Sequence, residues 1–133
     1  VERAAQTAAL NEVVDALLAG GRGNEFHASK SGRVIVLGDP NTMEFTDDIL
    51  HTLPGTGPDR VLTNLIDSLS DGNVYTFNFE GDSQILDHLL VTDNLLDGAE
   101  FDIVHVNVDF PRVDPSVGSD HEPLLLRLLV GRR

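Results

Sequence analysis

Residues 33–37, Arg-Val-Ile-Val-Leu, form a β-branched apolar run that stops at Gly38 and Asp39. A run this short and uniformly apolar predicts a strand covered on both faces, because a strand with one wet face alternates apolar with polar residues. Such a strand needs a layer on each side. Residues 2–19 read as an amphipathic helix with Leu10, Val13, Val14 and Leu17 on one stripe, stopped by Gly20 and Gly21. Residues 20–32 read as a polar, glycine-rich loop. Short helices are expected over 44–53 and 60–69, the second carrying Leu62, Leu65, Ile66 and Leu69 on one stripe. Strands are expected over 74–79, 84–92, 101–108 and 123–130, with residues 80–83 turning a hairpin. Helix, strand, two helices and four strands make one α/β or α+β domain over residues 1–133 with a mixed sheet.

Composition removes several classes of function. The chain has 22 acidic and 9 basic residues and a net charge of −13, which argues against a basic, counterion-releasing nucleic-acid binder. It leaves open an enzyme that meets phosphate through a cation, because a divalent ion inverts the local charge. The absence of cysteine excludes a disulfide framework, a thiolate zinc site and a cysteine nucleophile. No apolar run reaches the ~20 residues of a membrane span. The chain opens on Val1 directly in helical pattern, so no leader peptide can be read from it. Phosphate-binding loops, paired-histidine zinc helices, EF-hand loops and nucleophile elbows are all missing.

Three carboxylates stand where a core is expected. Asp39 closes the apolar strand, Asp87 interrupts the run Ile85–Val91, and Asp120 with His121 precedes the last strand. A buried carboxylate must find a donor, a cation or a metal, and ligands of α/β folds gather at strand ends. Each also has a plain reading: Asp39 as a turn residue, Asp87 as a structural ion-pair partner, and Asp120-His121-Glu122 as a solvated loop. His88 is expected to pack, and His105 and Asn107 to share a strand face and hydrogen-bond. His27, Ser29, Lys30 and His51 carry no signal.

Taken together, VIVLGDPN (34–41), SQILDHLLV (83–91) and SDHEPLLLRL (119–128) resemble the C-terminal half of the endonuclease/exonuclease/phosphatase superfamily, the DNase I-like fold. That family carries a G-D-x-N turn after a buried strand, an L-D-H strand and a terminal S-D-H-x-P. YTFNFEGDSQILDHLLV (75–91) with EFDIVHVN (100–107) looks most like its bacterial, often secreted nucleases and phosphodiesterases. The resemblance implies half of a β-sandwich flanked by helices, with the N-terminal half of the domain absent. It implies that Asp39 orients or deprotonates the attacking water and that Asn41 hydrogen-bonds the phosphate. Asp120 would hold Mg2+ or Mn2+. His121 would contact the phosphate or transfer a proton, and Asp87 would fix the His121 tautomer. The substrate would be nucleic acid or another phosphodiester, and the location extracellular or at the cell surface.

Two departures matter. Pro40 stands where the family has a larger residue, and it fixes φ in the turn that carries Asp39 and Asn41. Nothing before Val34 supplies the family's metal-binding glutamate, so this chain is expected to be inactive alone, and its half-covered sheet to form a homodimer or expose an apolar patch. Arg112, Arg127, Arg132 and Arg133 form no basic stripe, which keeps a phosphatase or phospholipid phosphodiesterase in view. A non-catalytic acidic binding module is the alternative from another class.

Overall fold

The structure is a computed structural model that describes residues 2–20, 32–70, 72–109 and 118–129. Most of the glycine-rich stretch, with His27, Ser29 and Lys30, lies outside the described residues. So do Arg112, Arg132 and Arg133.

The long helix is α1, Glu2–Ala19, and seven short strands follow: β1 Ile35–Gly38, β2 Thr63–Asn64, β3 Phe77–Phe79, β4 Asp82–Gln84, β5 His88–Val91, β6 Glu100–Ile103 and β7 Leu124–Arg127. They make a three-stranded sheet in the order β1-β5-β2 and two hairpin-like pairs, β3-β4 and β6-β7. The class is therefore α+β. Every pairing among the described strands is antiparallel, so the mixed sheet expected from the sequence is not what forms.

The strand covered on both faces is β5, not β1. All four β5 residues are buried. Leu90 joins Val14, Val34, Ile49, Leu53 and Leu62 in one core under α1. Leu89 and Val91 face the other way, into a second core with Leu65 and Leu95 that β6 and β7 cover through Phe101, Leu124 and Leu126. β1 lies at the sheet edge. Its Val34–Val36 side meets α1, but Ile35 is 41% and Leu37 70% exposed. The expectation that β1 is buried on both faces is thus corrected: composition alone cannot tell a central strand from an edge strand whose second face projects past its cover.

Both short helices are also corrected. Only Asp48–Thr52 closes a helical turn, of the wide π type, with the Leu53 N–H reaching the Asp48 carbonyl at 3.0 Å. That turn is enough to deliver Ile49 and Leu53 to α1. Residues 60–69 form β2 and then a 3-10 turn, Leu65–Ser68, capped by the Asn64 side chain. The stripe identified the buried residues but not their conformation. Leu62 enters the first core and Leu65 the second, on opposite sides of the sheet, which one face of a helix cannot do.

A hairpin forms with a tighter link than residues 80–83: only Glu80 and Gly81 turn, while Asp82 and Ser83 already belong to β4, with Phe79 paired to Asp82 and Phe77 to Gln84. Strand 84–92 splits, leaving residues 85–87 irregular between β4 and β5. Strand 101–108 ends at Ile103, because residues 104–109 turn around a side chain described below. Among the described residues no helix is long and apolar enough to cross a membrane.

Candidate active site

Asp39, Asp87 and His121 meet. Their ligating atoms all lie within 4.8 Å of one another, although the residues are up to 82 positions apart in sequence. Asp39 stands at the end of β1, where Gly38 takes φ +147° and the Asp39 Oδ1 accepts the Asn41 N–H at 2.7 Å. This small turn puts Asn41 at φ +52°, in the left-handed region that asparagine tolerates. The Arg3 guanidinium of α1 donates to the Asn41 carbonyl at 2.6 Å and ties the turn to the helix. Asn41 itself is exposed.

Asp87 lies in the irregular link before β5, not within a strand as the sequence suggests. Its backbone N–H and that of Leu86 both donate to the Thr76 hydroxyl, at 3.1 and 3.0 Å. His121 is placed by a single antiparallel bridge to Phe77. Its ring lies 4.8 Å from the Phe77 ring, and its Nδ1–H donates to Asp87 Oδ2 at 2.6 Å. The other nitrogen, Nε2, lies 4.0 Å from Asp39 Oδ2. That is too long for a direct hydrogen bond and is a gap that one shared oxygen spans. Asp87 and His121 line a cavity of about 540 Å3 together with Asn107, Ser119, Leu37, Leu89 and Leu124, whereas Asp39 lines a separate cavity beside His88 and Ile49.

Burial pushes the His121 imidazole toward its neutral form, but the Asp87 hydrogen bond and the charges of Asp87, Asp39 and Asp120 outweigh it, so its pKa is raised above the ordinary histidine value. Asp120 points elsewhere. It is exposed and lines a neighbouring cavity with Phe77, Phe79 and Asn107. Its charge reaches His121, but it is not one of the three converging ligands.

The residue that sequence reasoning passed over is Glu122. Read alone it belonged to a solvated loop, yet its side chain is fully buried. Its carboxylate accepts three backbone N–H groups, from Val106, Asn107 and Val108, at 2.9, 2.8 and 2.9 Å. Burial raises its pKa, but these three bonds and the nearby His105 more than compensate and hold it below the usual carboxylate range. Period two carried the signal: Glu122 shares the inward face with Leu124 and Leu126, while Leu125 points out. Asn107, expected on a strand face, sits in the turn that Glu122 gathers, and its amide donates to the His121 carbonyl at 2.6 Å. His105, expected beside it, donates to the Asn73 carbonyl at 2.9 Å.

His88 packs, as expected. It is 1% exposed, and its Nε2–H donates to the Thr42 carbonyl at 3.0 Å. Its Nδ1 accepts from Asn64 Nδ2 at 3.2 Å, an orientation fixed because Asn64 Oδ1 takes the Ile66 N–H. This neutral ring has its pKa lowered, chiefly by burial, against weaker opposing pulls from the Thr42 carbonyl, Glu44, Asp87 and Asp67. A lowered folded-state pKa gives stability that is present above the unfolded value of ~6.5 and lost as pH falls through the folded value. His121 works in the opposite sense, contributing below ~6.5 and losing its contribution as pH rises through its own raised value. Urea unfolding between pH 7.5 and pH 5 should therefore show a shallower acid decline in His88→Gln than in the parent chain. Equal slopes would remove His88 as the titrating group.

Compared with known protein families, with characterised proteins and with solved structures, the chain matches none. The functional reading accordingly stands on the site and on the sequence elements that build it.

Proposed function

We propose that this chain carries the Asp/Asp/His side of a metal-dependent phosphodiesterase centre of the DNase I-like kind, acting on nucleic acid. The observation that carries the reading is the approach of Asp39, Asp87 and His121 to one another, their ligating atoms all within 4.8 Å. The residues come from the three elements that resemble the family, and such a meeting is not required by packing.

The roles follow from the geometry. Asp87 holds Nδ1–H of His121, which fixes the ring direction and turns Nε2 toward the gap beside Asp39. An imidazole so held is an acid for a leaving oxygen or a donor to a phosphoryl oxygen. Asp39 faces it as an acceptor for a water proton. Asn41, in the same turn, lies close enough in sequence to address the same phosphate. The donor set fits a hard cation, because carboxylate oxygens suit Mg2+ and Mn2+. Asp87 Oδ2 is engaged with His121 Nδ1, so within the converging group Asp39 is the carboxylate that would hold it; the resemblance assigns the cation to Asp120, which stands beside the group and not in it. A bound cation would neutralise charge on the phosphoryl oxygens.

The reading includes incompleteness: the remaining metal ligand comes from a preceding segment of a longer polypeptide. The open face of β1 supports this, since Ile35 and Leu37 border the cavity and stand exposed beside it, as a sheet does where a further layer belongs. Secretion and homodimerisation belong to the same proposal, the first resting on the resemblance and the acidic charge, the second on the half-covered sheet.

Calorimetric titration with Mn2+ tests the metal role. Weak binding is expected, with its heat removed by Asp120→Asn. Heat untouched by that change would favour a non-catalytic acidic module. The 133-residue chain with Mg2+ should leave plasmid DNA intact, whereas the longer parent should cleave it. Parallel assays on RNA, a nitrophenyl phosphodiester and sphingomyelin separate nuclease from phosphatase and phospholipid activity.

A further inference from the structure

We propose that Glu122 and Asn107 form a positioning clamp for His121: the buried carboxylate gathers the backbone of residues 106–108 into a turn, and that turn carries the Asn107 amide to the carbonyl of His121. The inference deepens the hydrolase reading, since it names what holds that reading's acid–base residue.

A buried carboxylate is an expensive way to fill space, and an apolar side chain would pack there at lower cost. Glu122 offsets its desolvation with three charge-assisted bonds to consecutive N–H groups, the arrangement of a backbone nest closing on an anion. The anion here belongs to the chain itself, so the nest is a fastening. It joins residues 106–108, which follow β6, to the strip that enters β7.

The fastening acts on His121 through two routes. Glu122 and His121 share a peptide bond and point to opposite sides of the strip, so fixing one side chain inward fixes the origin of the other outward. The second route is direct, the 2.6 Å bond from Asn107 Nδ2 to the His121 carbonyl. Around these, the His121 N–H donates to Ser119 Oγ at 3.0 Å and the Glu122 N–H to the Thr76 carbonyl at 2.7 Å. Both backbone groups of His121 are thus held, and the imidazole reaches Asp87 without searching rotamers. Pro123 follows directly and keeps Glu122 extended.

The test reads the histidine itself, so it does not depend on any hydrolysis. In the 133-residue chain, proton NMR should show the His121 Nδ1–H as a downfield resonance protected by Asp87. Glu122→Gln should speed its exchange with water by on the order of tenfold or more, the scale of losing a charged hydrogen bond. Asn107→Ala, which leaves the carboxylate and the fold in place, should speed it severalfold. If Glu122→Gln does not fold, Asn107→Ala alone decides. Unchanged exchange in a folded Asn107→Ala, or shifted amides at 106–108 with an unmoved His121 resonance, would overturn the clamp. A clamp that behaves as expected in a parent protein without phosphodiesterase activity would instead retire the hydrolase reading and leave the clamp standing.

Discussion

If the proposed hydrolase reading holds, replacing His121 with alanine in the longer polypeptide which that reading invokes is expected to lower Mg2+- or Mn2+-dependent phosphodiester cleavage by about 10^2- to 10^4-fold, the usual contribution of a positioned proton-transfer group. The loss should fall on kcat, with KM little changed, because the imidazole does its work on charge that develops in the transition state. Asp87→Asn separates the two parts of the role. An amide removes the negative charge while nearly keeping the shape. Against burial, the Asp87 hydrogen bond and charge lead the pulls that raise the His121 pKa, with Asp39 and Asp120 adding to them, so removing the charge at position 87 lets the imidazole lose its proton at lower pH. The alkaline limb of the rate profile should then move toward acid in Asp87→Asn, while substrate affinity at low pH stays close to that of the parent. Asp39→Asn should also cost activity but should leave the His121–Asp87 hydrogen bond intact. If His121→Ala retains more than about a tenth of the parent rate, a loss well below the range for general acid–base catalysis, the proposed chemistry is wrong. Stopped assays on a soluble nitrophenyl phosphodiester measure all of these on one footing.

The sequence singled out three residues that meet in space more clearly than it drew the strand order. Asp39, Asp87 and His121 stood out because each broke a local rule: a carboxylate at the end of an apolar run, another within one, and an imidazole just before a third. Residues that conflict with their surroundings are legible one at a time. Thr76, Glu122 and Asn64 were not, since hydroxyls, amides and loop carboxylates conflict with nothing until their partners are known. Their partners lie 10 to 24 positions away: Thr76 with Leu86, Glu122 with Val106 and Asn64 with His88. Local pattern does not reach that far. The second short helix failed for a related reason. The stripe at Leu62, Leu65 and Ile66 records burial, and burial at helical spacing can also be met by a turn that crosses a sheet edge and serves both of its faces. Which face of β1 would be covered was equally out of reach, because edge and centre are properties of strand order.

Thr76→Val should destabilise the chain by about 2–4 kcal/mol while changing almost no volume. The Thr76 side chain is fully buried, and its hydroxyl accepts the N–H groups of both Leu86 and Asp87. Valine cannot accept. Two buried amides then lose their partner, and each unsatisfied buried group costs roughly 1–3 kcal/mol. The backbone bonds of Thr76 to Gln84 and from Glu122 remain, so the loss is that of the hydroxyl and not of the strand. With a urea slope of roughly 1–3 kcal/mol/M the unfolding midpoint should drop by about 0.7–4 M. Thr76→Ser is the control. It keeps the acceptor and removes one methyl, a change of about 1 kcal/mol. A valine variant no less stable than the serine variant would show that the hydroxyl is not what holds residues 86 and 87. If it is, the valine variant should also disturb the Asp87–His121 pair, because residues 85–87 have no strand ladder of their own and Asp87 reaches His121 from that irregular link. In the folded fraction of Thr76→Val, the His121 Nδ1–H should exchange faster than in Thr76→Ser, tying one buried hydroxyl to both the stability of the chain and the orientation of its imidazole.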